Sequence, residues 1–213
     1  DQPDNSDAYF RVLGVKLWHD GSPYTGSMYT SVPYLDSPLA RTLGIPPGSH
    51  GAAMIAEDAL REKIRHYTDA GWQVAIHSQG DSSNRDVVQA IARSGSLTGQ
   101  APVVRLEHGV FMPPDSVRQL AQAGATASFH IHHVKYYGNA LANAIVGYQA
   151  AMQVLPVKLA FAMGLQPTLH ADSPMFPPRG FALMQTAINR RSDQGLVLNA
   201  LYFVVVFVLG INP

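Results

Sequence analysis

The 213-residue chain carries 15 basic and 15 acidic side chains for a formal net charge of zero, with 46% apolar residues and only 14% charged. No basic stripe supports binding to nucleic acid or an anionic membrane, and the absence of cysteine excludes disulfides and thiolate sites. Charged residues fall well short of the roughly 25% usual in soluble domains, so part of the surface is expected to be covered by more chain.

Residues 1–213 are expected to form a single domain, since this length carries a substantial core. The chain opens at Asp1 without a charged start and apolar segment, so a signal peptide is expected to be absent or removed. The compartment is left open, with the cytoplasm slightly favoured.

The first strand is predicted in the run Val12-Leu13-Gly14-Val15-Lys16-Leu17-Trp18, after the alternating start at Phe10. Lys16 lies between apolar neighbours, costly for an ammonium unless it is paired, deprotonated, modified or able to reach water. Asp20-Gly21 reads as a turn. Residues 22–49 follow as one long aperiodic loop, a substrate-facing wall to which Tyr24, Tyr29 and Tyr34 would bring hydrogen-bonding aromatic surface.

Ala56, Leu60, Ile64 and Tyr67 then fall on one helical face, and Gly71 closes that helix. A buried strand, Trp72 to Ile76, delivers His77 at its carboxyl end, where parallel α/β folds bind ligands. Alone, His77 reads better as a hydrogen-bonded histidine at a strand end than as a ligand. A helix is predicted from Asp86 to Ser94, then a strand from Val103 to His108, then a helix opened by Pro113-Pro114 and ended by Gly124. A fourth strand is predicted over Thr126 to His133, a fifth over Thr168 to Pro174, and a last helix from Phe181 to Arg190. Strand alternation would put His130 and His132 on one face. Repeated helix, glycine, short strand and polar loop imply βα units and a parallel sheet. Each of the later strands ends in His or Asp, and convergence of such ends favours a (β/α)8-type barrel over an open sheet.

Gly14-Val15-Lys16-Leu17 with Asp20-Gly21-Ser22, Ala75-Ile76-His77 with Gly80-Asp81, Arg105-Leu106-Glu107-His108, and Thr168-Leu169-His170-Ala171-Asp172-Ser173-Pro174 together resemble the amidohydrolase superfamily, in its amidohydrolase-3 (YtcJ-like) branch. The resemblance runs from about Val12 to Arg191 and matches that family's strands four to eight. It implies a partial (β/α)8 barrel lacking the first strands, and a divalent metal centre of one or two ions, zinc by expectation. By the same resemblance Lys16 is the fourth-strand lysine that can be carboxylated, His77 and His108 are metal ligands, and Asp172 is both ligand and catalytic proton carrier. The implied reaction is metal-assisted hydrolysis of a non-peptide C–N bond in a small amide-type substrate. His130, His132 and His170 are weaker, substrate-facing candidates, while Glu107 and Asp81 are candidates to orient His108 and His77.

The chain departs from the family in two ways. The family's first-strand His-x-His pair has no counterpart before Val12, so self-association or a further segment is expected to complete the site; the alternative is a non-catalytic or partner-dependent ligand-binding remnant. The apolar stretch 200–209 is also atypical, too short to span a membrane and expected to be buried or paired.

Overall fold

The computed structural model describes residues 7, 9–10, 12–95 and 104–198. Its centre is a five-stranded sheet of β1 (Gly14–Trp18), β2 (Gln73–Ser78), β3 (Val104–His108), β4 (Thr126–His130) and β5 (Thr168–His170). Spatial order equals chain order and every neighbouring pair is parallel. Between β1 and β2 run α1 (Pro38–Thr42) and α2 (Glu57–Asp69); α3 (Asp81–Arg93) and α4 (Pro114–Gln122) make the next two crossovers. The β4–β5 connection winds through α5 (His132–Lys135), α6 (Gly138–Ala140), α7 (Tyr148–Ala151) and α8 (Val157–Ala162), and α9 (Gly180–Asn189) follows β5. Parallel strands laid side by side in sequence, each returned by a helix, form an α/β arc of a (β/α)8-type barrel.

Side-chain alternation divides this sheet into two unlike faces. Val74, Ile76, Leu106, Ala127 and Phe129 are buried in one core with Leu60 and Ile64 of α2, Val87 and Ile91 of α3, and Val117 and Leu120 of α4. Removal of this apolar surface from water holds the helices on the sheet. The intervening positions are mostly polar: Lys16 on β1, His77 on β2, Arg105 and Glu107 on β3, Ser128 and His130 on β4, and His170 on β5. Register aligns Trp18, His77, Glu107 and Ser128 as one row across four strands. Lys16 is exposed and Trp18 is 61% exposed, so this inner face is open at the β1 edge among the described residues. Lys16 thus meets its desolvation problem by reaching water.

Several boundaries differ from the sequence reading. The helix expected from Asp86 begins at Asp81, because Gly80 enters it in an extended conformation and the buried Ser83 and Asn84 fill its first turn with hydrogen bonds to Ser78 instead of apolar contacts. The fourth strand stops at His130, since Ile131 turns into right-handed helical backbone and His132 opens α5. The fifth strand is only three residues, ending before Asp172, whose φ of 54° leaves the extended region. Residues 22–49 are more ordered than an aperiodic loop: they hold a 3-10 turn, Pro23–Thr25, and α1, where Pro38 occupies the first turn and Ser37 accepts a bond from the Ala40 N–H. Tyr34 is not part of a ligand wall, being buried with its hydroxyl donating to the Met28 carbonyl at 3.0 Å. The apolar stretch 200–209 lies outside the described residues.

His19 ties β1 to the helix layer. Its backbone N–H donates to the His77 carbonyl at 3.0 Å, and its fully buried ring places Nδ1 2.8 Å from Ser83 Oγ, which in turn sits 2.8 Å from Ser78 Oγ. Burial pushes its pKa down from 6.5 to about 4. Because the unfolded state binds the extra proton between these values, His19 withdraws stability as pH falls from about 6.5 toward about 4. His19→Asn, which cannot titrate, should show a shallower loss of urea midpoint over that window than the unmodified protein; an unchanged slope would contradict the assignment.

Candidate metal centre

Histidines collect at the carboxyl ends of the strands. The inner-face row brings His77, His130 and His170 there by alternation alone. His108 arrives differently: it stands in register with Ser78 and Phe129, the helix-facing row, yet its φ is 74°. A left-handed backbone crowds the Cβ against the chain, a cost glycine escapes by having none, and such outliers cluster at functional sites. Here it turns the imidazole inward, with ring centroids 4.4 Å from His77, 5.0 Å from His170 and 5.9 Å from His130. Gly109 continues the left-handed turn at φ 53° and donates its N–H to the Ser78 carbonyl at 3.0 Å, fastening the reversed chain to β2.

Asp172, also left-handed, follows His170 by two residues. Ligand atoms of His108, His170 and Asp172 all lie within 4.8 Å of one another. His108 Nδ1 and His170 Nε2 are buried and make no hydrogen bond. Buried polar atoms are rarely left so, and two imidazole nitrogens with a carboxylate form the donor set that zinc-like cations take while keeping a coordination position open. The residues therefore fit a divalent metal.

Electrostatics agree with that use. Burial lowers His77 and His130 to about 4 each, drives His108 lower still and also lowers His170. All four rings are consequently neutral at pH 7, the ligand form of imidazole. Lys16 adds a smaller, Coulombic lowering to His77, His108 and His170, which places its charge within reach of the cluster although it stands on the exposed part of β1.

His132 does not share a strand face with His130, because the strand has ended. Its ring centroid lies 6.1 Å from that of His130 and packs against Phe176 at 4.8 Å and Tyr136 at 5.0 Å. The sequence reading did not single out His133 or Phe176. The His133 ring is 4.6 Å from His130, and its Nδ1 lies 2.8 Å from the hydroxyl of Tyr24, so one tyrosine of the long loop does reach the site. Nothing in local pattern marks Phe176; it is brought in by the turn after Asp172.

The two acidic residues expected to orient ligands do other work. Asp81 accepts from the Ser31 N–H at 2.9 Å and from Arg85 at 2.7 Å, and Glu107 accepts from Arg105 Nε at 2.6 Å. At His77 the carboxylate of Asp20 places Oδ1 3.8 Å from Nε2, and the side-chain Nε2 of Gln79 lies 3.3 Å from the same ring nitrogen. Asp20 is fully buried and accepts from the N–H groups of Tyr29, Gln79 and Gly80 at 2.8–2.9 Å. Burial raises its pKa to about 6 against the lowering pull of those three bonds.

Comparison with known proteins bears on the fold and the family. Two solved structures share the fold: an uncharacterized metal-dependent hydrolase from Pyrococcus furiosus, with a TM-score of 0.72 at 22% identity over 89% of this chain and 36% of that one, and an uncharacterized metal-dependent hydrolase from Pyrococcus horikoshii OT3, with a TM-score of 0.70 at 22% identity over 84% and 34%. The chain thus spans about a third of the length of these structures. No curated protein matches it. The sequence model of the amidohydrolase family matches residues 2–204, and by that match the chain belongs to the amidohydrolase family.

Proposed function

We propose that the chain carries the carboxyl-end metal centre of a hydrolase that uses water to cleave a non-peptide C–N bond in a small amide-type substrate. The observation that carries this reading is the trio His108, His170 and Asp172, with its two buried, unpartnered imidazole nitrogens. His77, one ring from His108, and Lys16, on the same face, are the further ligands, for one or two ions, with zinc the first choice for imidazole and carboxylate donors. A cation held there supplies Lewis acidity toward a scissile carbonyl and toward water.

The remaining work falls to side chains. Asp172 accepts the proton of the attacking water and delivers it to the leaving nitrogen, a role that suits a carboxylate held at the mouth of the strands by a left-handed turn. His130 and His132 line the adjoining wall with Phe176 and Tyr136 and meet the substrate beside the metal ligands. Their neutral rings offer hydrogen bonds without a fixed positive charge, which favours an uncharged group at that position.

A second reading is supported by the openness of the inner face at Lys16 and Trp18. In it the chain is partner-dependent: its centre is half-built, and a segment bearing a His-x-His strand, from an extension of the chain or from an association partner, completes it.

Two outcomes test the first reading. With a completing segment supplied, Asp172→Asn should lower turnover by about 10²–10⁴-fold, the range of a lost general acid–base group, while far-UV circular dichroism is unchanged; near-normal turnover would remove Asp172 from proton transfer. His108→Ala and His170→Ala should each lower the zinc retained after dialysis against a mild chelator, and equal retention in both variants would place the metal elsewhere.

A further inference from the structure

The Asp20-Gly21 turn has a role beyond joining β1 to the long loop. We infer that it is the positioning element for the His77 imidazole, with Asp20 as the positioning residue. This rests on the reading of His77 as a metal ligand.

Three observations carry it. First, the Asp20 carboxylate is fully buried without a cationic partner and is held by backbone N–H groups from two segments: Tyr29 in the long loop, and Gln79 and Gly80 immediately after β2. A carboxylate that satisfies three donors is fixed in position and fixes them in turn, so the chain just beyond His77 is clamped to the end of β1. Second, Asp20 Oδ1 lies 3.8 Å from His77 Nε2, and Gln79, whose backbone N–H the same carboxylate holds, places its side-chain Nε2 3.3 Å from that ring nitrogen. Contacts of this kind select the tautomer and orientation of a ligating histidine, and their removal typically weakens metal binding about 10–100-fold. Third, the clamp tolerates no added bulk: a Cβ on Gly80 would lie 1.8 Å from the Tyr29 carbonyl oxygen, and one on Gly21 would lie 2.0 Å from Ser27 Oγ. Three chain segments are therefore packed at backbone distance around one carboxylate.

Asp81 provides the control. It pins the same long loop, at Ser31, from the start of α3, but makes no hydrogen bond or ion pair with His77 among the described residues.

The test measures Co²⁺ affinity of the full chain by titration calorimetry, with fold checked by circular dichroism. Asp20→Asn keeps the size of the side chain but replaces one acceptor oxygen by a donor, so it should weaken Co²⁺ binding at least about 10-fold, whereas Asp81→Asn should leave it unchanged. Acting through His77, the Asp20 effect should vanish in a His77→Ala background, a coupling that a loss of general stability would not produce. Unchanged affinity in folded Asp20→Asn, equal weakening by Asp81→Asn, or additive effects with His77→Ala would each overturn the inference. If His77→Ala alone leaves Co²⁺ affinity intact, the ligand role of His77 falls and the inference with it. Should Asp20→Asn not fold, the unmodified chain decides: the His77 ring, with Nε2 3.3 Å from Gln79 Nε2 and 3.8 Å from Asp20 Oδ1, should populate a single tautomer, read from its ¹⁵N NMR shifts at neutral pH, and a mixture of tautomers would overturn the assignment.

Discussion

Alternation along parallel strands is the constraint on which the rest of this structure depends. A strand has two faces and no third option, so burying Val74, Ile76, Leu106 and Phe129 against the helices commits Lys16, His77, Glu107, Ser128 and His130 to the opposite side. Parallel pairing then puts all the carboxyl ends at one rim, and four histidines gather there without any contact being specified locally. The apolar face supplies the free energy of folding, and the polar face is thereby left free to hold chemistry.

His108 departs from that rule and for that reason matters most. Its register belongs to the helix side, and its ring reaches the inner side only through a left-handed backbone. Asp172 makes the same excursion at the end of β5. Both residues of the central trio that lie beyond regular strand geometry thus sit in conformations that the surrounding fold must stabilise. What results is a group of buried, neutral imidazoles in which His108 Nδ1, His130 Nε2 and His170 Nε2 make no hydrogen bond among the described residues, an arrangement that is costly unless a ligand satisfies it.

Much of this was legible in the sequence. Strands delivering His77 and His108 follow from short apolar runs ending in polar, glycine-containing turns, whereas the sequence pattern carries the fourth and fifth strands on to His133 and Pro174 and the structure ends them at His130 and His170. The family resemblance rests on the motifs around Lys16, His77, His108, His170 and Asp172. The faces of the side chains were less legible. Period-two reasoning would turn His108 toward the helices, and it pairs His130 with His132 across a strand that in fact ends between them, because a run of histidines does not announce the helical turn at Ile131. The acidic partners were misassigned for a related reason: Asp81 and Glu107 are near in sequence to His77 and His108, yet a helix start and the neighbouring Arg105 claim them. Asp20 lies nearly sixty residues from His77, and only parallel pairing of β1 with β2 brings them together.

The central claim is that His108, His170 and Asp172 hold a divalent metal at the rim of the sheet. Its most direct test is a crystal structure of the zinc-loaded chain with anomalous data collected at the zinc edge. The account expects one strong anomalous peak bonded to His108, His170 and Asp172, with the His108 ring still turned inward. A loaded crystal in which that position is empty while zinc occupies another set of ligands would contradict it.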